Sequence, residues 1–424
     1  MIKFIIKGLL RDRSRSLFPV LVVLSGVMLT VLMHCWIRGT ESDMIRANAS
    51  FSTGHVKIMS RAYAKEADQI PNDLAYIGVS KLIDQLNTEW PNMIWTPRIR
   101  FGGLLDIPDS NGETRVQGPV MGMAVDLLAP QSHEISILNL KSSVVRGRLP
   151  EKPGELLISD EFAQRLDVNI GETATLISAT MYGSMATANF TIVGTLNFGV
   201  AAMDRGAVIA DVQDIQRALD MQDAAGEILG FSSDMIYRPQ QIAVIEQKFN
   251  QQYSDKTGEF APVMLALSEQ YGLSQTLEMI SSATSFVIVI FVSVMSIVLW
   301  NAGLMGSLRR YGEFGIRLAM GESKAHLYRS LILESFVIGC MGSVLGTAVG
   351  LLFAYYLQVH GFDISSMMKN ASMMMSNVMR ARITPASFAI GFVPGILATT
   401  LGTSISGLGI YRRQTSQLTK EFEA

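Results

Sequence analysis

Arg309-Arg310-Tyr311-Gly312-Glu313-Phe314-Gly315-Ile316-Arg317-Leu318-Ala319-Met320-Gly321-Glu322-Ser323 is a short polar stretch, positive on balance and broken by three glycines. Long apolar runs flank it, Ala283 to Leu304 before and Leu331 to Tyr356 after. Each run is long enough to cross a bilayer, since roughly 20 residues at 1.5 Å rise span the ~30 Å hydrocarbon core. Residues 306–329 hold Arg309, Arg310, Arg317, Lys324 and Arg329, which by the positive-inside rule puts this connection in the cytoplasm.

Two more spans follow from the same reasoning. Leu17 to Ile37 is a first span, preceded at 1–16 by a basic amphipathic lead with Lys3, Lys7, Arg11, Arg13 and Arg15. That lead suits an anionic inner leaflet and keeps the amino terminus cytoplasmic. A cleaved signal peptide fits less well: the apolar run is long, and His34-Cys35-Trp36-Ile37-Arg38 is not a small-residue cleavage site. A fourth span runs from Pro385 to Ile410, interrupted by Pro394-Gly395, and Tyr411-Arg412-Arg413 returns the tail, 411–424, to the cytoplasm. In the third span Gly342, Gly346 and Gly350 recur every four residues, which lines one helix face and lets another helix approach closely.

Between the first two spans lies 40–280, with no run long enough to cross a membrane. His55 to Met59 alternates as a strand does, and Phe101–Ile107, Thr114–Met123, Gly154–Ser159, Thr173–Thr180, Ala188–Leu196 and Ala207–Ala210 read as further strands. Ser80–Glu89, Glu161–Leu166 capped by Asp160, Val212–Leu219 capped by Asp211, Ile242–Phe249 and Ala266–Ser281 read as helices. The absence of a strict βαβ rhythm favours mainly antiparallel sheet, with a subdomain divide near 130–152. The fold class expected is therefore an α+β membrane protein: four transmembrane helices, and a large α+β periplasmic domain between the first and second. A second external loop, 358–384, carries Met367, Met368, Met373, Met374, Met375 and Met379; an amphipathic surface helix, contact with apolar cargo or a soft-metal site are the readings open to it.

Composition agrees. Of 424 residues 49% are hydrophobic and 17% charged, with a net charge of -2, and mean hydropathy is +0.28. No stretch interleaves basic and aromatic residues, so nucleic acid is not an expected partner. The two cysteines, Cys35 and Cys340, both fall in apolar runs and suit buried thiols. There is no G-x-x-x-x-G-K-[ST] phosphate loop, no H-E-x-x-H, no C-x-x-C and no G-x-S-x-G. The five histidines lack metal-ligand spacing. Few ionisable groups fall in the spans: His34 near an end of the first, and Glu334 in the third within reach of Arg329 or Arg317. No enzyme, cofactor or metal site is expected in this chain, and energy for any work must come from outside it.

Three stretches resemble a permease family that includes FtsX, the lipoprotein-releasing LolC and LolE, and MacB. Gly8 to Leu17 is similar to the family's basic lead. Gly147-Arg148-Leu149-Pro150, Pro153 to Ile158 and Phe190-Thr191-Ile192-Val193-Gly194 are similar to its external core. Arg310 to Glu334 is similar to its cytoplasmic signature of the type E-x-G-I-x-R-A-x-G, matched by Glu313, Gly315, Ile316, Arg317, Met320, Gly321 and Glu334. Ala319-Met320-Gly321 departs mildly from the commoner Ala-Leu/Ile-Gly.

The resemblance implies an ABC transporter permease of the bacterial inner membrane, lacking its own ATPase. Two copies of an ATP-binding subunit, which hold ATP and Mg, would dock on Arg310, Glu313, Phe314, Gly315, Ile316, Arg317, Met320, Gly321 and Glu322. A second permease, identical or paralogous, would complete the assembly, and closure of the ATPases would move the external domains by mechanotransmission. Length and the His55–Ile58 stretch lean to the lipoprotein-releasing type, with membrane lipid and a periplasmic carrier as further partners. An efflux or secretion permease with a periplasmic adaptor, and a signalling permease controlling a periplasmic hydrolase, are the alternatives.

Overall fold

The computed structural model describes residues 13–199, 201–254, 258–308, 311–363 and 378–408. They divide into a sheet unit, mainly Ser42–Leu277, and a helical unit drawn from the residues up to Glu41, Glu278–Phe362 and those from Met379. The protein is an α+β membrane protein with four transmembrane helical segments and its large α+β domain between the first two.

Helix α1 (Arg13–Asn48) opens the described chain and passes into a π-helical turn, Ala49–Thr53. The sheet unit follows. Its longer helices are α2 (Val79–Glu89), α3 (Asp160–Arg165), α4 (Val212–Ala218) and α5 (Pro239–Gln252). The strands of its main sheet are β1 (Val56–Ser60), β2 (Met93–Pro108), β3 (Thr114–Val125), β4 (Val144–Gly147), β5 (Glu155–Ser159), β6 (Thr173–Ala179), β7 (Met185–Leu196), β8 (Ala207–Asp211), β9 (Glu227–Ser232) and β10 (Pro262–Ala266). They form one ten-stranded sheet in the order β10-β1-β9-β2-β3-β8-β5-β7-β4, with β6 paired to β2 and β7. Only β3–β8 and β5–β7 are parallel among these pairs. Strands from both sides of 130–152 interleave in this sheet.

The sheet's central strands are covered on both faces. Val208 and Ala210 of β8 and Leu156 and Ile158 of β5 enter a core closed by Leu82 and Leu86 of α2, Phe162 of α3, Ile215 of α4 and Phe249 of α5. Their neighbours Ala207, Ile209 and Leu157 enter a second core with Leu127, Leu138 and Phe198. Both parities of a strand are thus apolar, as expected of strands buried on two faces. Gly122 of β3 gives the Phe101 ring its place: a Cβ there would come within 1.9 Å of that ring.

Two local expectations are corrected. Ser159, not Asp160, caps α3, its hydroxyl accepting from the Phe162 amide at 3.5 Å. Asp160 instead accepts from Thr195 Oγ1 at 2.7 Å and Arg146 Nε at 2.8 Å. Ala266–Ser281 is not one helix: Ala266 ends β10, a 3₁₀ segment covers Leu267–Gly272, and α6 (Leu273–Leu308) begins after it. The β1 ladder holds Ala266 extended opposite Val56, and the Leu267 amide still donates to the His55 carbonyl at 3.0 Å. Asp211 does cap α4, accepting from the Gln213 amide at 2.9 Å.

In the helical unit, α7 (Tyr311–Ala319) separates α6 from α8 (Lys324–His360), so much of 306–329 is helix rather than loop. The fourth segment is broken: a 3₁₀ turn at Pro385–Phe388, a π-helical turn at Val393–Ala398 around Pro394, then α9 (Thr399–Gly407). A proline inside a helix removes an amide donor, and a π turn is one way the chain accommodates that loss. Val23, Val27, Val31 and Cys35 of α1 are buried as a stripe at four-residue spacing.

A candidate coupling helix

α7 is nine residues long. Phe314 is 1% exposed, and with Leu318 one turn later it packs on Leu327 and Leu331 of α8. The i, i+4 spacing on both helices sets two turns against two turns. Burying the phenyl ring contributes about 1.5–3 kcal/mol, which a nine-residue helix needs, because isolated helices this short are marginal in water.

The end of α7 is closed twice by the same pair of residues. Gly321 has φ +95°; its amide donates to the Leu318 carbonyl at 3.0 Å, and the Glu322 amide donates to the Arg317 carbonyl at 3.1 Å. This is the Schellman pattern, which requires a left-handed residue where glycine carries no penalty. The Arg317 and Glu322 side chains then meet as a fork, Nε–Oε2 2.7 Å and Nη2–Oε1 2.9 Å. Both are partly exposed, so the pair adds little stability; its bidentate geometry fixes direction. Ser323 caps α8, accepting from the His326 amide at 3.3 Å, and His326 Nε2 lies 3.9 Å from Glu322 Oε1.

Packing one face leaves another bare. Ile316 is 51% and Met320 76% exposed, one turn apart. Of the residues singled out in sequence, Phe314 and Gly315 are buried, Glu313, Arg317 and Glu322 are half-buried, and Ile316, Met320 and Gly321 are exposed; Arg310 lies outside the described residues. The eight described residues therefore do different work: anchor, clasp and outer face. Leu318, Leu327, Leu331 and Ser323 were not singled out, although the four-residue spacing of the two α8 leucines is a signal.

Gly342, Gly346 and Gly350 lie against α1. A Cβ on Gly342 would come within 2.6 Å of Val23, on Gly346 within 2.7 Å of the Leu24 carbonyl, and on Gly350 within 3.0 Å of the Met28 carbonyl. Gly339 faces the broken segment instead: a Cβ there would come within 2.8 Å of the Gly395 carbonyl. Of the methionine-rich loop, Met379 is half-buried, and Met367, Met368, Met373, Met374 and Met375 lie outside the described residues.

The family model for the FtsX-like permease C-terminal domain matches residues 285–415. Residues 285–415 are thus similar to the C-terminal part of FtsX-like permeases. The match takes in α7, α8 and the broken fourth segment, so the glycine contacts and the anchored helix lie within the matched residues. The lipoprotein-releasing system transmembrane protein LolC of Xylella fastidiosa strain Temecula1 is 24% identical over 238 residues, 54% of each chain. LolC of Haemophilus influenzae is 26% identical over 215 residues, 48% of this chain and 50% of that one. The chain thus spans about half the length of the curated relatives it matches. The periplasmic region of MacB from Actinobacillus actinomycetemcomitans aligns with 55% of this chain and 95% of its own, at 13% identity and a TM-score of 0.35, a likeness too slight to argue from.

Proposed function

We propose that this chain is the permease subunit of an ATP-driven ABC transporter, working by mechanotransmission on lipoprotein or lipid-like cargo at the periplasmic face of a bacterial inner membrane. α7 is the knob on which a separate ATP-binding subunit pushes. Two such subunits, carrying ATP and Mg, and a second permease complete the machine. The amino and carboxyl ends are cytoplasmic and the sheet unit is periplasmic.

The observation that carries the reading is the build of α7. A helix that receives force must not roll on its support. Phe314 and Leu318 pin one face to α8, the Arg317–Glu322 fork and the Gly321 turn close its end, and Ile316 and Met320 stay outward. The outward pair is small, which suits a cleft on a partner better than a broad flat contact. The relatives named for lipoprotein release support the choice of cargo.

The test is copurification of the full chain from its own membranes. An ATP-binding subunit is expected in the complex. Ile316→Asp and Met320→Asp should each weaken its retention by about tenfold or more, a loss of about 1.4 kcal/mol, with the melting temperature of the permease unchanged. Wild-type retention in both variants would refute the docking assignment. A periplasmic adaptor or hydrolase in place of retained lipoproteins on depletion would move the cargo assignment.

A further inference from the structure

The sheet unit holds a cluster of charges at the point where α1 ends. A helix C-terminus leaves carbonyls without intrahelical donors. Here the π turn after α1 presents those of Ser50, Phe51, Ser52 and Thr53, and each receives a side-chain donor. Arg98 Nη1 reaches the Ser50 carbonyl at 2.7 Å and that of Phe51 at 3.3 Å. Arg100 Nη2 reaches the Ser52 carbonyl at 3.3 Å and its hydroxyl at 3.0 Å. Gln270 Nε2 reaches the Thr53 carbonyl at 3.1 Å and that of Leu265 at 3.1 Å.

The donors are themselves held. Arg98 is 1% exposed and grips the buried Glu134 by two bonds of 2.8 Å, Nε to Oε1 and Nη2 to Oε2. Arg100 Nε stands 3.6 Å from Glu227, which also accepts from the buried Lys57 at 2.8 Å. Three cations thus share two carboxylates, and the negative end of the α1 dipole supplies the remaining counter-charge. Burial, the largest effect, and the neighbouring Arg100 and Arg98 lower the Lys57 ammonium to about 8, against the pull of Glu227. Buried charges of this kind add little net stability over an apolar core. What they add is direction, since Glu134 and Glu227 orient the Arg98 and Arg100 guanidinium groups toward the carbonyls at the end of α1. Gln270 sits in the 3₁₀ segment just before α6, so the end of α1 and the start of α6 are tied at one place. Ile45 of α1 and Leu277 of α6 enter the same apolar cluster beside it.

We propose that Arg98, Arg100 and Gln270 form a rigid joint fixing the end of α1, and with it the start of α6, to the sheet, and that they are positioning residues through which displacement of α1 is passed to the sheet unit. The proposal rests on the permease reading for what the joint is used for, and on the geometry alone for its rigidity.

Both parts can be tested in the full chain, reconstituted in nanodiscs with its ATP-binding subunit. Nitroxide labels at Met44→Cys and Met121→Cys, exposed sites on α1 and β3, are placed in a Cys35→Ser, Cys340→Ser background. The double variant Arg100→Gln, Gln270→Leu leaves the Arg98–Glu134 grip in place. It should about double the width of the label-to-label distance distribution and lower ATP-driven release of a dye-labelled triacyl lipopeptide about tenfold. The ATPase rate should stay at the wild-type level. Arg100→Lys, which keeps a donor, should restore both readouts in part. An unbroadened distribution, or a broadened one with normal release, would overturn the joint. Failure of the unmutated complex to release the lipopeptide would count against the permease reading, while the distance arm still decides the joint.

Discussion

Gly321 stands at φ +95° with open space around the position a Cβ would take, so its requirement is conformational and not steric. Gly321→Ala should cost about 1–2 kcal/mol at the end of α7, and Gly321→Asn about half of that, read as the loss of melting temperature in the full chain. The order Gly > Asn > Ala is the check, because asparagine tolerates the left-handed region better than alanine does. Glu246 makes a second prediction. Burial, the largest effect, together with Glu269 raises its carboxyl to about 7, against the Ala266 amide, which it accepts at 3.0 Å. A carboxyl whose folded pKa is raised leaves the native state with more bound protons than the unfolded one between pH 4.5 and 7. Its contribution is therefore most favourable below 4.5 and is lost as pH rises through 7. Glu246→Gln should raise the melting temperature at pH 8 and leave it unchanged at pH 4, and an equal gain at both would contradict the assignment. In the sequence the signature stretch marked Phe314, Ile316 and Met320 alike. It could not separate the anchor from the outward pair, because the face that is buried depends on where α8 lies.

Among elements, α1 and α8 approach closely at their glycines. Gly346→Leu should destabilise the helical unit by about 1–3 kcal/mol or more, because even a first carbon meets the Leu24 carbonyl. Its check is a lowered melting transition for the full chain in detergent, with amide exchange of β8 unchanged. The apolar runs made all four membrane segments legible, and the spacing of the glycines gave their face. The run lengths did not give the ends: α1 continues to Asn48, past the apolar run that ends at Ile37, because Ile45 and Ala49 are covered by the sheet unit. β9 was missed for a related reason. Glu227-Ile228-Leu229-Gly230-Phe231-Ser232 buries its glutamate against Lys57, and its glycine makes room for Trp95, so the charge and the glycine that argue against a strand are both used by the packing. The joint at the end of α1 was not legible at all, since the Arg98–Arg100 pair, Glu134 and Gln270 are far apart in sequence from one another and from the end of α1 and meet only through the sheet.

At the scale of the whole molecule, a chain with four transmembrane segments, a stretch at 285–415 similar to FtsX-like permeases and an anchored helix between its second and third segments is read as a transmission part driven by another protein. That reading makes α7 the point of entry of force and the sheet unit its outlet. The most direct measurement is site-specific photocrosslinking in the membranes of the source cell, with the crosslinker at Met320 in the full-length chain and, as a control, at Met185 in the sheet unit, both exposed positions. A permease driven at α7 gives a crosslink from position 320 to an ATP-binding subunit, and none to it from position 185. An ATP-binding subunit captured from 185 and not from 320, or from neither, would contradict it.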